Sequence, residues 1–345
     1  MMLCKVLATL LIAWLLSSCV LNGMYEQTTY VENIEEKAAP SKTNRSVVPF
    51  KTFLQLAEQG YLKGTYVLSP GVYRLNEPLQ IKSPNVRLIG NGEVFFEGTE
   101  DVQGLILGHS NIDIENISFR NIRSCVSVKK QSHVSNINIR NIVANNVHDC
   151  ILIDRSIDST VKNWTISDLK VTNYYRSAVR IAGVGTQRII LTDFTLNGGH
   201  SEGYCWKGGI QIYEEASHID IFNGHILNNV GGCGEGYPQG DGIEIDDKDG
   251  APHDIFIEKV VVKNSTDGNF DLKGRNIYLK NVTSSSSGFT KVGYKLWNYE
   301  YVCENCSLEG KFELPIELNR ARLKYREEDK LHNQGVQFLD TYRNI

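Results

Sequence analysis

The chain has 345 residues, 41% of them hydrophobic, and carries 36 Lys and Arg against 40 Asp and Glu, a net charge of −4. A near-neutral balance without a basic block excludes the electrostatic footprint of a nucleic-acid-binding protein. The length exceeds that of an ordinary domain. Repeat architectures escape that limit, because each repeat buries surface only against its neighbours.

In chain order, Lys5 gives a short positive start and Val6 to Leu16 an apolar run too short to span a bilayer comfortably, as in a signal peptide. The following Leu16-Ser17-Ser18-Cys19 resembles a bacterial lipobox, which implies cleavage before Cys19 and lipid attachment to it. Residues 1–18 are then the signal of an exported lipoprotein, anchored to a membrane through its N-terminal lipid. Val20 takes the place of the Asp that favours inner-membrane retention, so the outer membrane is expected. Removing the signal removes only Lys5 among the charges and leaves a net charge of −5. Residues 19–46 are polar and without apolar periodicity, and read as a lipidated tether. The folded domain is expected over 47–312.

Phe50 to Gln59 has the apolar spacing of a short amphipathic helix, with Phe50, Phe53, Leu54, Leu56 and Ala57 on one side. It precedes the strands Tyr66-Val67-Leu68 and Val72-Tyr73-Arg74-Leu75. From about residue 80 the sequence restates one phrase: a short β-branched strand, Asn or Asp, another short strand, a turn. Examples are Asn111-Ile112-Asp113-Ile114, Asn136-Ile137-Asn138-Ile139, His218-Ile219-Asp220-Ile221 and Asn276-Ile277-Tyr278-Leu279. A second strand recurs once per unit, centred on Ser127, Leu152, Arg180, Gln211, Glu244, Asp271 and Lys295, each flanked by apolar residues. The spacings are 25, 28, 31, 33, 27 and 24 residues. A propeller would need about four strands per repeat of roughly 40 residues. A leucine-rich repeat has its own Leu and Asn pattern. Neither fits. The fold class is all-β: a single-stranded right-handed parallel β-helix, or solenoid, with the N-terminal helix capping its open end. Leu314 to Asp329, rich in Glu, Arg and Leu, has a helical composition after Pro315, so residues 313–345 are expected to be a C-terminal cap or tail.

Because neighbouring side chains of a strand point to opposite faces, the flanking apolar residues stack inward and the seven central residues form an outward column. Its last four members, Gln211, Glu244, Asp271 and Lys295, make a polar stripe. Asp246 and Lys273 lie two residues further along on the same face, and Asp241 and Asp267 just ahead of two of these strands. Clustered carboxylates on rigid strands offer the hard oxygen ligands Ca²⁺ takes. Outward charges of a solenoid are otherwise solvated and pair across strands for solubility. The two longest coils carry their excess in 198–207 and 231–239, aromatic loops of the kind that bind ligands. Tyr174, Tyr175, Tyr204, Trp206 and Tyr237 are candidates to stack on sugar rings, and Arg180, Gln211 and Lys273 to bind substrate by polar contacts. Cys205 and Cys233, one in each loop, are candidates for a disulfide. Cys125 and Cys150 occupy matching positions in successive coils, and Cys303-x-x-Cys306 is expected to be structural or disulfide-bonded.

The series Gly240-Asp241-Gly242-Ile243-Glu244-Ile245, Asp267-Gly268-Asn269-Phe270-Asp271-Leu272-Lys273 and Gly293-Tyr294-Lys295-Leu296 resembles the calcium-dependent family 9 pectate lyases. The resemblance implies that Asp241, Asp267 and Asp271 hold Ca²⁺ and that Lys295 is the base of a β-elimination on an acidic polysaccharide. Glu244 is a further ligand candidate by its place on the strand, not by the family. Thr266 stands where the family has a second Asp, and Asp267 and Asp271 are one residue further apart than in the family. A monomer acting on a uronate polymer is expected.

Two other classes share these features. A glycoside hydrolase needs a carboxylate pair at a suitable separation, which Glu244 or Asp246 with Asp271 would supply. Its polygalacturonase form would show Gly-His-Gly and Arg-x-Lys segments, and an alginate epimerase an Asp-Pro-His-Asp signature; the sequence has no Gly-His-Gly and no Asp-Pro-His-Asp, and its Arg322-Leu323-Lys324 lies beyond the polar stripe. A non-catalytic surface protein that binds polysaccharide needs only the scaffold.

Overall fold

The computed structural model describes residues 47–48, 50–60, 62–154, 159–199, 204–232 and 239–325. Cys19, the signal and the tether lie outside the described residues. Among those described, no helix is long and apolar enough to cross a membrane.

The chain winds as a right-handed parallel β-solenoid. On the face that carries the outward column, parallel pairing links Leu79–Ile81, Gln103–Leu107, the C-terminal parts of Ile112–Val128, His133–Ile153 and Thr160–Ala182, then Gly208–Tyr213, Asp241–Asp246, Gly268–Leu272, Val292–Trp297 and Leu314–Asn319. The register is the one the alternation implies. Ser127 pairs with Leu152, Leu152 with Arg180, Arg180 with Gln211, Gln211 with Glu244, Glu244 with Asp271, and Asp271 with Lys295. Inside, columns of like residues stack coil on coil. One runs Ile112, Ile137, Trp164, Ile189, Ile219, Ile255, Ile277 and Tyr301, all buried. Stacking in register buries each apolar side chain against its copies above and below, the main source of stability in such a fold.

The recurring Asn makes the corners. Asn111, Asn116 and Asn121 have φ of 61°, 59° and 53°, and Asn136, Asn141 and Asn146 repeat this one coil on at 57°, 52° and 54°. Asn tolerates this left-handed conformation better than other residues with a side chain. Each corner turns the chain by one residue, so segments as long as Thr160–Ala182 bend around the solenoid without a loop. The corner amides also bond each other along the axis: Asn141 Nδ2 donates to Asn116 Oδ1 at 2.7 Å, and Asn136 Nδ2 to Asn111 Oδ1 at 2.9 Å. Asn141→Ala should therefore cost about 1–2 kcal/mol, most of it recovered in Asn141→Gly, which has no Cβ to strain. Urea denaturation of the two variants checks this, and equal midpoints would remove backbone strain as the cause.

The helix α1 spans Phe50–Glu58, as the apolar spacing predicts. Phe53 and Ala57 are buried, and the Phe53 ring meets Tyr66 at 5.5 Å, so α1 covers the apolar end of the first coil. At the other end the structure differs from the sequence reading. Leu314–Asn319 and Arg322–Tyr325, expected within a cap or tail, are strands of a further coil, paired to Val292–Trp297 and Glu300–Glu304. Alternating Leu314, Ile316 and Leu318 meet a waiting strand edge, and that pairing overrides the helical composition.

Candidate functional site

Three consecutive coils build the site. Asp241 opens the strand Asp241–Asp246, Asp267 precedes Gly268–Leu272, Asp271 lies within it, and Lys295 occupies the matching position of Val292–Trp297. The repeated Asp-Gly pair has a steric reason: the Gly268 N–H donates to Asp241 Oδ1 at 2.9 Å, and a Cβ on Gly268 would stand only 3.0 Å from that oxygen. Between Asp267 and Asp271, Asn269 is buried and points inward. Its Nδ2 donates to Ser284 Oγ and Ser285 O, both at 2.9 Å, and its Oδ1 accepts from Ser265 N at 3.1 Å. With Asn269 pinned inside, both aspartates still reach the same point outside.

Asp241, Asp267 and Asp271 are buried, and one carboxylate oxygen from each lies within 4.8 Å of the others. That span is comparable to the ~4.6–5.2 Å that twice a calcium–oxygen bond of ~2.3–2.6 Å covers, so the three carboxylates form a candidate cation site. Lys295 Nζ is 3.0 Å from Asp267 Oδ2 and 3.3 Å from Asp271 Oδ2. Lys273 Nζ lies 3.8 Å from Asp271 Oδ2 and 3.7 Å from Asp246 Oδ1. Trp297 Nε1 donates to Asp271 Oδ1 at 2.8 Å, and both lysines lie 5.6 Å from the centre of its ring.

Burial, with repulsion from Asp271, Glu244 and Asp267, pushes the Asp241 carboxyl well above the ordinary range. Burial also raises Asp271, against the pull of Lys273 and Lys295. Burial alone would depress the Lys295 ammonium, but Asp271, Asp267 and Asp241 outweigh it and hold its proton more tightly than usual. Lys273 is raised in the same way, against burial, by Asp271, Asp246 and Glu244. A cluster with more buried acid than base is one a further cation would stabilise.

Glu244 stands apart from the three-carboxylate group. Its Oε2 accepts from Gln211 Nε2 and from the Tyr213 hydroxyl, both at 2.7 Å, and burial raises its pKa to about 7. Gln211 is itself engaged, its Nε2 also donating to Trp206 O at 2.9 Å. Arg180, one rung before Gln211, is only 5% exposed, and its guanidinium lies 4.8 Å from the centre of the Tyr213 ring.

Of the aromatic residues, Trp206 is 51% exposed, and Tyr204 and Tyr175 are also exposed. Tyr175 and Tyr204 cluster with His148, with centroids 5.2–6.4 Å apart. Tyr174, also a stacking candidate, is fully buried, its hydroxyl donating to Asn229 Oδ1; it packs the core and offers no face to a sugar. Tyr237 lies outside the described residues. Cys205 is disulfide-bonded, while Cys233, its expected partner, lies outside the described residues. Cys303 and Cys306 form a disulfide, and Cys125 and Cys150 are buried free thiols.

Tyr213 and Trp297 escaped the sequence reading. Each lies two residues beyond a member of the outward column, so the alternation that placed Asp246 and Lys273 on this face would have found them too.

Fold and site together define a right-handed parallel β-solenoid with a buried carboxylate–lysine cluster on one face. No protein-family model matches the chain, and no curated protein does. Among solved structures it is similar to Geobacillus virus E2 ORF18, at 10% identity and a TM-score of 0.42, over 76% of this chain and 53% of that one. It is also similar to the catalytic unit of the GH87 α-1,3-glucanase of Streptomyces thermodiastaticus strain HF3-3, at 15% identity and a TM-score of 0.44, over 84% and 66% of the chains. The Agl-KA catalytic domain matches at 12% identity and a TM-score of 0.24, over 80% and 65%. The chain spans between about half and two thirds of the length of these structures. At such identities and scores the likeness says nothing about chemistry.

Proposed function

We propose that the protein is a polysaccharide lyase that cleaves a uronate-containing polysaccharide by calcium-assisted β-elimination, with Lys295 as the base. The observation that carries this reading is the convergence of Asp241, Asp267 and Asp271 within 4.8 Å, with Lys295 Nζ at 3.0 and 3.3 Å from two of them. Calcium bound there would neutralise the substrate carboxylate, acidifying the C–H beside it, and would offset the carboxylates that hold the Lys295 proton. Lys295, once neutral, takes the proton from C5 of the uronate. The C–H electron pair forms the C4–C5 double bond, the C4–O bond breaks, and the departing oxygen takes a proton from water. Lys273, kept protonated by Asp271 and Asp246, offers a fixed cation to the uronate carboxylate. The protein is further proposed to be exported and lipid-anchored at Cys19 in the outer membrane.

A hydrolase is the second reading, favoured by one observation. Glu244 has a pKa raised to about 7 and pairs in register with Asp271, as a general acid beside a carboxylate would. The two readings differ in product. Full-length protein incubated with polygalacturonate, alginate and bacterial capsular polymers, with calcium or chelator, should give calcium-dependent ultraviolet absorbance from unsaturated uronate ends. New reducing ends without that absorbance would establish the hydrolase. Neither product on any polymer would leave a binding protein.

A further inference from the structure

Arg180 is a buried cation without an anion among the described residues. Its Nε is buried and unpartnered, and it makes no ion pair among the described residues; its nearest companion is the Tyr213 ring at 4.8 Å. The Oε1 of Gln211, its register neighbour, is also buried without a partner. Burying a guanidinium is costly unless a carboxylate or similar group meets it. One rung further, on the side away from the acidic cluster, begins a cavity of about 280 Å³, whose described lining residues do not include Arg180 itself. Its wall includes Leu152, the other register neighbour of Arg180, and Ala182, two residues along the same strand. Gln80, Gln103, Lys129 and Lys130 are among its polar groups, with Asp154 the one carboxylate among its described lining residues. The volume is at the small end of ligand pockets, about 300 Å³.

We propose that Arg180 and this cavity form a second carboxylate-binding subsite, which holds a distal uronate of the same polysaccharide chain that reaches Lys295. The inference rests on the uronate reading of the acidic cluster. Arg180 lies four rungs from Lys295, ~19 Å at the strand spacing, and the cavity begins one rung beyond. A polymer laid along the solenoid axis advances by about one rung per sugar, so a short oligomer at Lys295 stops before Arg180 and a longer one reaches it. A planar guanidinium takes a carboxylate by two parallel hydrogen bonds, which neutral sugars do not offer. The consequence is a preference for long, charged chains.

The test is calorimetric binding of galacturonate and guluronate oligomers, dimer to octamer, to the full-length chain in calcium. Malto-oligosaccharides serve as the neutral control. Affinity should rise steeply once the oligomer is long enough to span the rungs to Arg180. Arg180→Gln should lose about tenfold in affinity for the octamer and nothing for the dimer. Lys129→Gln with Lys130→Gln, at exposed positions that leave the core intact, should weaken only the longest oligomers. Equal affinity of Arg180→Gln and parent for every length, or equal binding of the neutral series, would overturn the subsite. The two proposals fail separately. Length-dependent binding that needs Arg180, without unsaturated product, sinks the lyase and keeps the subsite; unsaturated product with no dependence on Arg180 does the reverse.

Discussion

Lys295→Met should abolish calcium-dependent release of unsaturated uronate, lowering turnover by about 10²–10⁴, the usual contribution of a positioned general base. The same substitution should destabilise the calcium-free protein. Lys295 is the cation that meets both Asp267 and Asp271, and its side chain is only 14% exposed. Removing one partner of a buried ion pair leaves the other charges uncompensated, at a cost of about 3 kcal/mol. Added calcium should then restore the thermal midpoint without restoring turnover, because a cation replaces the charge of Lys295 but not its proton affinity. This separation distinguishes a base from a strut. If Lys295→Met keeps turnover within tenfold of the parent, Lys295 is not the base, whatever happens to the melting temperature.

In chelator, stability should fall as pH rises from about 4.5 to about 7. Glu244 drives this, its folded pKa being raised from 4.5 to about 7. The raised pKa means that the folded state binds the proton more tightly than the unfolded one. Its contribution is therefore fully present below about 4.5 and is lost as pH climbs through about 7. The span corresponds to roughly 3 kcal/mol at 1.36 kcal/mol per pH unit. Asp241 and Asp271, also raised, act in the same direction from the ordinary Asp range upward. Glu244→Gln removes the ionisation and keeps an acceptor for Gln211 and Tyr213, so its stability should vary less across this window. Calcium should flatten the profile of the parent, since a bound cation favours the ionised aspartates and carboxylates near them. Urea denaturation at pH 5 and pH 7, with and without calcium, measures all of this. A Glu244→Gln profile as steep as the parent's would assign the effect to other groups.

Much of this molecule is written in its period. The alternation of apolar and polar residues sets which side chains face inward, and a column such as Ser127, Leu152, Arg180, Gln211, Glu244, Asp271 and Lys295 follows by stacking like on like. Parallel in-register pairing makes this possible, because each residue meets its own counterpart one coil away. Asn at the corners is equally legible, for few other residues accept a left-handed backbone without penalty. The same logic placed Asp241, Asp267, Asp271 and Lys295 on three adjacent coils.

What the sequence by itself left open is how side chains share that face. Only the tertiary structure turned Asn269 inward, brought Asp241, Asp267 and Asp271 together, and gave Glu244 to Gln211 and Tyr213 rather than to the aspartates. It buried Tyr174 in the core and continued the sheet through Leu314–Asn319 where composition pointed to a helix. It also left Arg180 without a counter-ion among the described residues, one rung from a cavity. The physical reason is one of range. Period and turn chemistry act between near neighbours and repeat coil by coil. Rotamers, hydrogen-bond partners and buried charge balance depend on loops of irregular length, and those come together only once the solenoid has wound.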